Sequence, residues 1–240
     1  MKIVILQPSY LPWIGYFNLI KQADFFVFYD DVQFTIRDWR TRNRIKTPNG
    51  WIWLSVPVSL EKPYFEYKIN EVKISYIQNW QKKHLKSIKF SYKTTPYFKE
   101  VFDIIEYHIN RGYKFLVDLD INLILDLAKY IGLEEDTNFI LASEFKIEKK
   151  FKKTDRLLKV IENLERRFNI KVDEYISGKS AKDYLEEEKF LREGIKVKWH
   201  DYSHPVYNQI TFKTNKDFLP YMSIIDLLFV EDKSIIKKII

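Results

Sequence analysis

The stretch Lys2-Ile3-Val4-Ile5-Leu6-Gln7-Pro8-Ser9-Tyr10-Leu11-Pro12-Trp13-Ile14-Gly15-Tyr16-Phe17 opens the chain and decides the class of fold. Residues 2–6 are a short apolar run with no polar alternation, the pattern of a strand buried on both faces. Pro8 and Pro12 punctuate the turn that follows. Residues 13–21 then read as a helix, and residues 25–29 form a second apolar run of strand length. Strand, turn, helix and strand in about thirty residues is the pattern of a parallel βαβ unit.

The same alternation returns in the last third. Leu157, Ile161, Leu164 and Phe168 lie at helix spacing behind Thr154, a residue type suited to capping. Residues 172–177 read as a strand stopping at Gly178, and residues 181–192 as a helix stopping near Gly194. Ile195, Val197 and Trp199 alternate with Lys196, Lys198 and His200, as a half-buried strand does. Residues 222–229 close the chain as an apolar helix. Between the two ends, a basic loop leads to a strand at 51–58 after Pro48-Asn49-Gly50, and another strand is predicted at 67–74. The middle, about 76–134, is helical. Trp80, His84 and Ile88 share one face, Tyr97, Val101, Ile104 and His108 another, and residues 121–131 form a buried helix ended by Gly132. Residues 138–142 are a further strand.

These elements predict one α/β domain over residues 1–240, a mostly parallel sheet with a helical middle insertion. A chain of 240 residues can bury a full core, and no linker, repeat or low-complexity tract divides it. With no cysteine, disulfides, zinc–thiolate sites, iron–sulfur clusters and a cysteine nucleophile are excluded. No apolar run reaches the ~18 residues of a membrane span, and the opening strand is too soon interrupted for a signal peptide, so a cytoplasmic location is expected. Forty basic against thirty-three acidic residues give +7. That surplus suits a small anionic partner, or simply a lysine-rich solvated surface. It joins no nucleic-acid motif, so no nucleic-acid partner is expected.

Ligands of parallel sheets gather beyond the carboxyl ends of the strands. Residues 7–16, 30–46, 177–181 and 200–209 are therefore candidates for one rim. In the first segment, a helix N-terminus could meet a phosphate or carboxylate, and Gly15 costs a helix about 1 kcal/mol relative to alanine unless something must approach closely. A tight strand-to-helix connection explains the segment equally well. Asp30 and Asp31 end the second strand, where one carboxylate could act as a base or orient an amine. Arg37, Arg40, Arg42, Arg44 and Lys46, with Trp39 and Asn43 among them, have an anion-binding composition, against the alternative of a solvated loop. His204 follows the last strand with Tyr207 and Gln209 nearby, and imidazole titrates near neutrality. A metal would need a third ligand from elsewhere, so none is assigned, and no cofactor is named. His84 and His108 lie on apolar helix faces and read as core residues. Ser223 and Asp226, three apart, read as a capping pair.

Taken together, Gln7-Pro8-Ser9-Tyr10-Leu11-Pro12-Trp13-Ile14-Gly15-Tyr16-Phe17, Asp30-Asp31-Val32-Gln33-Phe34, Arg42-Asn43-Arg44-Ile45-Lys46, Tyr175-Ile176-Ser177-Gly178, His204-Pro205-Val206-Tyr207-Asn208-Gln209 and Tyr221-Met222-Ser223-Ile224-Ile225-Asp226 resemble the WbqC-like proteins. The blocks run in order over nearly the whole chain. The chain departs from the family pattern at Val230-Glu231-Asp232 and at Lys179-Ser180-Ala181. The resemblance implies a link to bacterial surface polysaccharide, including O-antigen. A weaker likeness, to the opening of pantothenate synthetase and related nucleotidylyltransferases, implies a Rossmann-like fold, with Tyr16 standing where that pattern has a second histidine.

The expected function is transfer of an acyl or aminoacyl group to an amino sugar on a nucleotide carrier. Alternatives are an adenylate-forming or nucleotidylyl enzyme, and a non-catalytic glycan- or nucleotide-binding protein. In this scheme Asp30 and His204 handle protons. Arg40, Arg42 and Lys46 hold phosphate or carboxylate, and Trp13 or Trp39 stacks on sugar or base. Gln7, Asn43, Tyr207 and Gln209 orient the substrate, with Tyr10 on a pocket wall. Gly15, Tyr16, Asp31, Gln33, Ser177 and Gly178 complete the candidate set.

Overall fold

A computed structural model describes residues 1–240. In chain order the elements are β1 (Lys2–Leu6), α1 (Ile14–Gln22), β2 (Phe25–Phe28), β3 (Arg42–Thr47), β4 (Gly50–Ser55), β5 (Val58–Ser59), β6 (Lys73–Ile74), α2 (Trp80–Tyr92), α3 (Phe98–Asn110), α4 (Leu116–Ile131), β7 (Asn138–Leu141), α5 (Lys153–Phe168), β8 (Glu174–Ser177), α6 (Glu187–Arg192), β9 (Lys196–Trp199), α7 (Ile224–Leu228) and α8 (Lys233–Ile239). Contacts gather into two compact units. The first comprises Met1–Gln7, Leu19–Asp31 and Glu135–Ser203, the second Pro8–Asn18, Val32–Glu134 and His204–Ile240.

The first unit holds a five-stranded sheet in the order β7-β2-β1-β8-β9, every neighbouring pair parallel. Each of the five falls on a run that the sequence marks as a strand. β1 is central: Ile3 stands beside Phe25 on one side and Tyr175 on the other. Ile3, Ile5, Val27 and Tyr175 pack with Leu157, Val160, Ile161 and Leu164 of α5. Phe190 of α6 stacks on Tyr175 with ring centroids 5.0 Å apart. Val4, on the opposite pleat, is buried as well, which is why the run does not alternate. Each such side chain contributes about 1.5–3 kcal/mol, so the stripe of α5 is enough to fix that helix against the sheet. The structure is thus a Rossmann-like α/β fold.

Two boundaries in this unit correct the sequence expectation. Thr154 is not the cap of α5. It lies inside the helix, fully buried, and its hydroxyl accepts the backbone N–H of Glu186 at 3.0 Å. The predicted helix 181–192 is broken into a short 3-10 turn, Lys179–Ala181, and the six-residue α6.

The second unit holds the helical middle. Trp80, His84 and Ile88 form the buried face of α2, as their spacing predicts. In α3 the buried stripe runs through Val101, Ile105 and His108, displaced by one residue from Ile104. α4 begins at Leu116, earlier than predicted, and ends where expected. Gly132 takes φ 80°, and Leu133 N–H returns to the Ala128 carbonyl at 2.9 Å. His84 and His108 are buried core residues; His108 lies 2.8 Å from the Tyr113 hydroxyl and 2.7 Å from Asp126.

Three further expectations give way here. The basic loop is in large part a strand: β3 pairs antiparallel with β4 through the Thr47–Gly50 turn, and β4 stops at Ser55. Residues 67–74 are not one strand. Their backbone bonds go to the segment after Asp31, with Phe34 N–H donating to the Tyr67 carbonyl (2.8 Å) and Ile69 N–H to the Val32 carbonyl (2.9 Å). A 3-10 turn follows at Ile69–Glu71, leaving only Lys73–Ile74 to pair with Val58–Ser59. Finally α7 does not close the chain, because α8 follows it, capped by Asp232.

Candidate functional site

In the first unit the parallel arrangement puts five strand carboxyl ends on one edge. Numbered by chain order within the sheet, the strands run 3-2-1-4-5, so the direction of growth reverses between β1 and β8. Ligands of such sheets sit outside this reversal. Gln7 directly follows β1; Ser177 ends β8 and Gly178 follows it. A Cβ placed on Gly178 would meet only Ser180 Oγ, at 3.8 Å, so the backbone here lies open. The imidazole of His200, which follows β9, is pushed to lower pKa by burial, and the backbone N–H of His200 donates to the Ser177 carbonyl at 2.8 Å.

Both acids after β2 are buried and engaged. Asp30 Oδ1 accepts the backbone N–H of Ser143 at 2.9 Å, tying the ends of β2 and β7. Asp31 is paired with Arg156 of α5 at 2.5 Å. A nearly buried ion pair of this kind is costly to break and leaves Asp31 little freedom to act as a base.

In the second unit the Pro8–Pro12 turn is packed inward. Tyr10 and Tyr16 have almost no exposed surface. The Tyr10 hydroxyl lies 3.0 Å from His84 Nδ1, and burial lowers the His84 pKa to about 4. Gly15 is required by its own neighbour: a Cβ there would lie 2.3 Å from the Trp13 ring, so the indole occupies the space a side chain needs. Leu11 adopts φ 43°, and Asn43 stabilises this turn by donating to the Leu11 carbonyl at 2.8 Å. Asn43 is thus buried structure. Lys46 is also fully buried; its ammonium donates to the Asp217 carbonyl at 2.6 Å, and burial lowers its pKa. Arg40 is held by Asp38 at 2.9 Å. Asp120 of α4 is completely buried with no hydrogen-bond partner for either oxygen. Burial drives its carboxyl well above the usual range, against the pull of the Arg40 charge.

What remains open is the outer face of the β3–β4 hairpin. The register sets Arg44 opposite Trp53 and Lys46 opposite Trp51. The guanidinium of Arg42 lies 4.2 Å from the Trp53 ring centroid, and that of Arg44 lies 5.1 Å from Trp51, 5.7 Å from Trp53 and 5.9 Å from Trp39. All three indoles are exposed. One amine of Arg44 donates to the Tyr221 carbonyl at 3.1 Å and one of Arg42 to the Arg37 carbonyl at 2.6 Å, while the Nε of each has no acceptor. Gln33 is exposed and its backbone bridges to Lys68.

The same face continues into the C-terminal segment. Tyr221, at φ 60°, places its ring 6.0 Å from Trp13 and 4.7 Å from His204. Its N–H donates to His204 Nε2 at 3.2 Å, and burial lowers the His204 pKa. A neutral ring accepting at Nε2 carries its proton on Nδ1, so His204 would have to release Tyr221 before using Nε2 as a base. Tyr207 and Gln209 turn inward instead. Asp226, fully buried, accepts from the Tyr92 hydroxyl (2.5 Å), the Tyr207 hydroxyl (2.6 Å) and the Gln209 amide (2.6 Å). Gln209 also accepts from Leu219 N–H at 2.8 Å and donates to its carbonyl at 3.0 Å, closing the loop between them. Asp226 is therefore no partner in a capping box; Ser223 alone caps α7.

Arg42, Trp39, Trp13 and His204 thus share one aromatic and cationic face, whereas Tyr10, Tyr16, Asn43, Lys46, Tyr207 and Gln209 are buried beneath the surface of the same unit. Gln7, Asp30, Asp31, Ser177 and Gly178 belong to the sheet unit. The candidate set omits Arg44, Trp51, Trp53 and Tyr221. The signal for the first three was the two-residue period of a hairpin, which puts Arg42 and Arg44 on one face with Trp51 and Trp53. Such a face can stack on a sugar or base and donate to an anion.

The model of the WbqC-like protein family matches residues 7–238. The chain is also 36% identical, over 230 residues, to the uncharacterized protein Rv1507c of Mycobacterium tuberculosis, a match covering 95% of this chain and 93% of that one. No solved structure matches it.

Proposed function

This chain belongs to the WbqC-like protein family, and on that footing we propose that it binds a nucleotide-activated amino sugar in bacterial surface-glycan biosynthesis and transfers an acyl or aminoacyl group to the sugar amine. The observation that carries the reading is the hairpin face, where Arg42 and Arg44 lie over three exposed indoles. Indole faces suit the C–H surface of a sugar or the plane of a base, and guanidinium suits a diphosphate. His204 at the edge of this face is the group proposed to move the proton.

The test is calorimetric titration with a nucleoside-diphosphate amino sugar, followed by mass spectrometry of the sugar after incubation with an acyl or aminoacyl donor. Arg42→Ala and Trp53→Ala should each weaken binding. For Arg42 the lost charged hydrogen bond is worth about 1.5–3 kcal/mol, roughly ten- to hundred-fold. Thermal melting should hardly change. Equal affinity of wild type and Arg42→Ala would return the hairpin to ordinary surface; binding without any mass shift would leave a binding protein and no transferase.

A second reading rests on the sheet. The 3-2-1-4-5 order, with Gln7 and Ser177–Gly178 at its reversal, is where an adenylate-forming or nucleotidylyl enzyme would hold its nucleotide. ATP- and Mg²⁺-dependent release of pyrophosphate would favour it.

A further inference from the structure

Helix α2 turns a concentrated basic face outward. From Val72 to Lys99 the chain holds no Asp or Glu, and α2 carries Lys82, Lys83, Lys86 and Lys89, with Lys93 at its C-cap. All five are exposed. The flanking Lys73 and Lys99 pair with Glu61 and Asp103, but these five pair with no carboxylate. At about 100° per residue, Lys82, Lys86, Lys89 and Lys93 fall within an arc of about 60°, opposite the buried face of Trp80, His84 and Ile88. Like charges at this spacing repel one another, so the arrangement gains nothing for the isolated fold.

Apolar groups stand among these charges. Ile77 is 95% exposed and Phe90 67%. Ile77 shares with Lys82, Lys86 and Lys89 an open groove of about 690 Å³, further lined by Leu85 and Phe102, in which Glu106 is the one acid. Phe90 lies one turn from Lys86 and Lys93 on the helix surface. An acidic protein would answer the lysines but has no evident use for two separate apolar tips on either side of them. A bilayer answers both, since anionic headgroups neutralise the ammonium groups and the acyl boundary takes the apolar side chains. We propose that α2 docks the protein on an anionic lipid surface, with the lysines against the headgroups and Ile77 and Phe90 inserted between them. No helix is long and apolar enough to cross a membrane, so the contact is peripheral.

The experiment is co-sedimentation of the full chain with vesicles of phosphatidylglycerol and phosphatidylcholine, against vesicles of phosphatidylcholine alone. Binding is expected to the first only, and to fall as salt is raised. Each lysine near such a surface is worth about fivefold in partition, so K82Q/K86Q/K89Q should lower it about a hundredfold. I77N/F90S should lower it about tenfold or more at unchanged charge, because the inserted apolar area is lost. All these side chains are exposed, and circular dichroism melting checks that each variant stays folded. Failure to sediment with anionic vesicles would overturn the proposal. So would a triple variant that partitions like the wild type, or an I77N/F90S protein whose partition is unchanged.

Discussion

Replacing Asp226 with Asn is the sharpest probe of how the C-terminal segment is held. The carboxylate receives three donors, two of them at Oδ2. An amide keeps one acceptor and puts a donor in place of the other. If its nitrogen takes the Oδ2 position, it faces the Tyr207 hydroxyl and the Gln209 amide; Tyr207 can rotate, but Gln209 can flip only by giving up both bonds to Leu219. If it takes the Oδ1 position, it faces Tyr92, whose hydroxyl already accepts Lys46 N–H at 2.9 Å. Either way at least one hydrogen bond to a charged group is lost, about 1.5–3 kcal/mol. For a chain of this size that is a fall in Tm of about 3–12 °C. The loss should concentrate in one place. The loop between Gln209 and Leu219 carries the exposed Lys213 and Lys216, so limited trypsin digestion should cut there sooner in the variant than in the wild type. An unchanged Tm with unchanged cleavage would refute the claim that Asp226 organises this loop, and a raised Tm would show that burying the carboxylate costs more than its three bonds return.

Two other perturbations follow from buried features. Asp120 has a folded-state pKa raised above its unfolded value, so its contribution is fully present below about pH 4 and is lost as pH rises. Asp120→Asn should therefore gain on the wild type by about 1.4 kcal/mol per pH unit as pH rises above the unfolded value of about 3.9, for as long as the folded carboxyl stays protonated. Parallel Tm curves for the two proteins between pH 4 and 7 would count against it. Gly15→Ala would normally help a helix by about 1 kcal/mol, but here it must displace the Trp13 indole. It should lower Tm and shift tryptophan emission, and a stabilised variant with unaltered emission would disprove the close fit.

The parallel strands were legible because a strand covered on both faces is written as an unbroken apolar run, and residues 3–6 and 25–28 are such runs. The hairpin was hidden for the opposite reason. Arg42-Asn43-Arg44-Ile45-Lys46 looks like a solvated loop until Trp51 and Trp53 are set beside it, and cross-strand pairing is not visible in either segment alone. The candidate site divides along the same line. Residue types that announce binding, such as Asn43, Lys46, Tyr207 and Gln209, are spent on backbone carbonyls or on Asp226, because a chain with few glycines and a left-handed Leu11 needs polar side chains to secure its turns. Asp226 itself was misread because three-residue spacing after a serine is also how a helix cap is written.

The strand order carries a consequence for synthesis. β1 is paired along one edge as soon as β2 exists, but its other neighbour, β8, is encoded about 170 residues later, and β7 must wait for the whole of 32–134. At about 5–20 residues per second, the opening apolar strands spend roughly 10–30 s emerging from the ribosome with an edge unsatisfied. The nascent N-terminus presents an aggregation-prone edge in that interval, and a codon change that slows translation between β2 and β8 lengthens the exposure without altering a single residue of the finished protein.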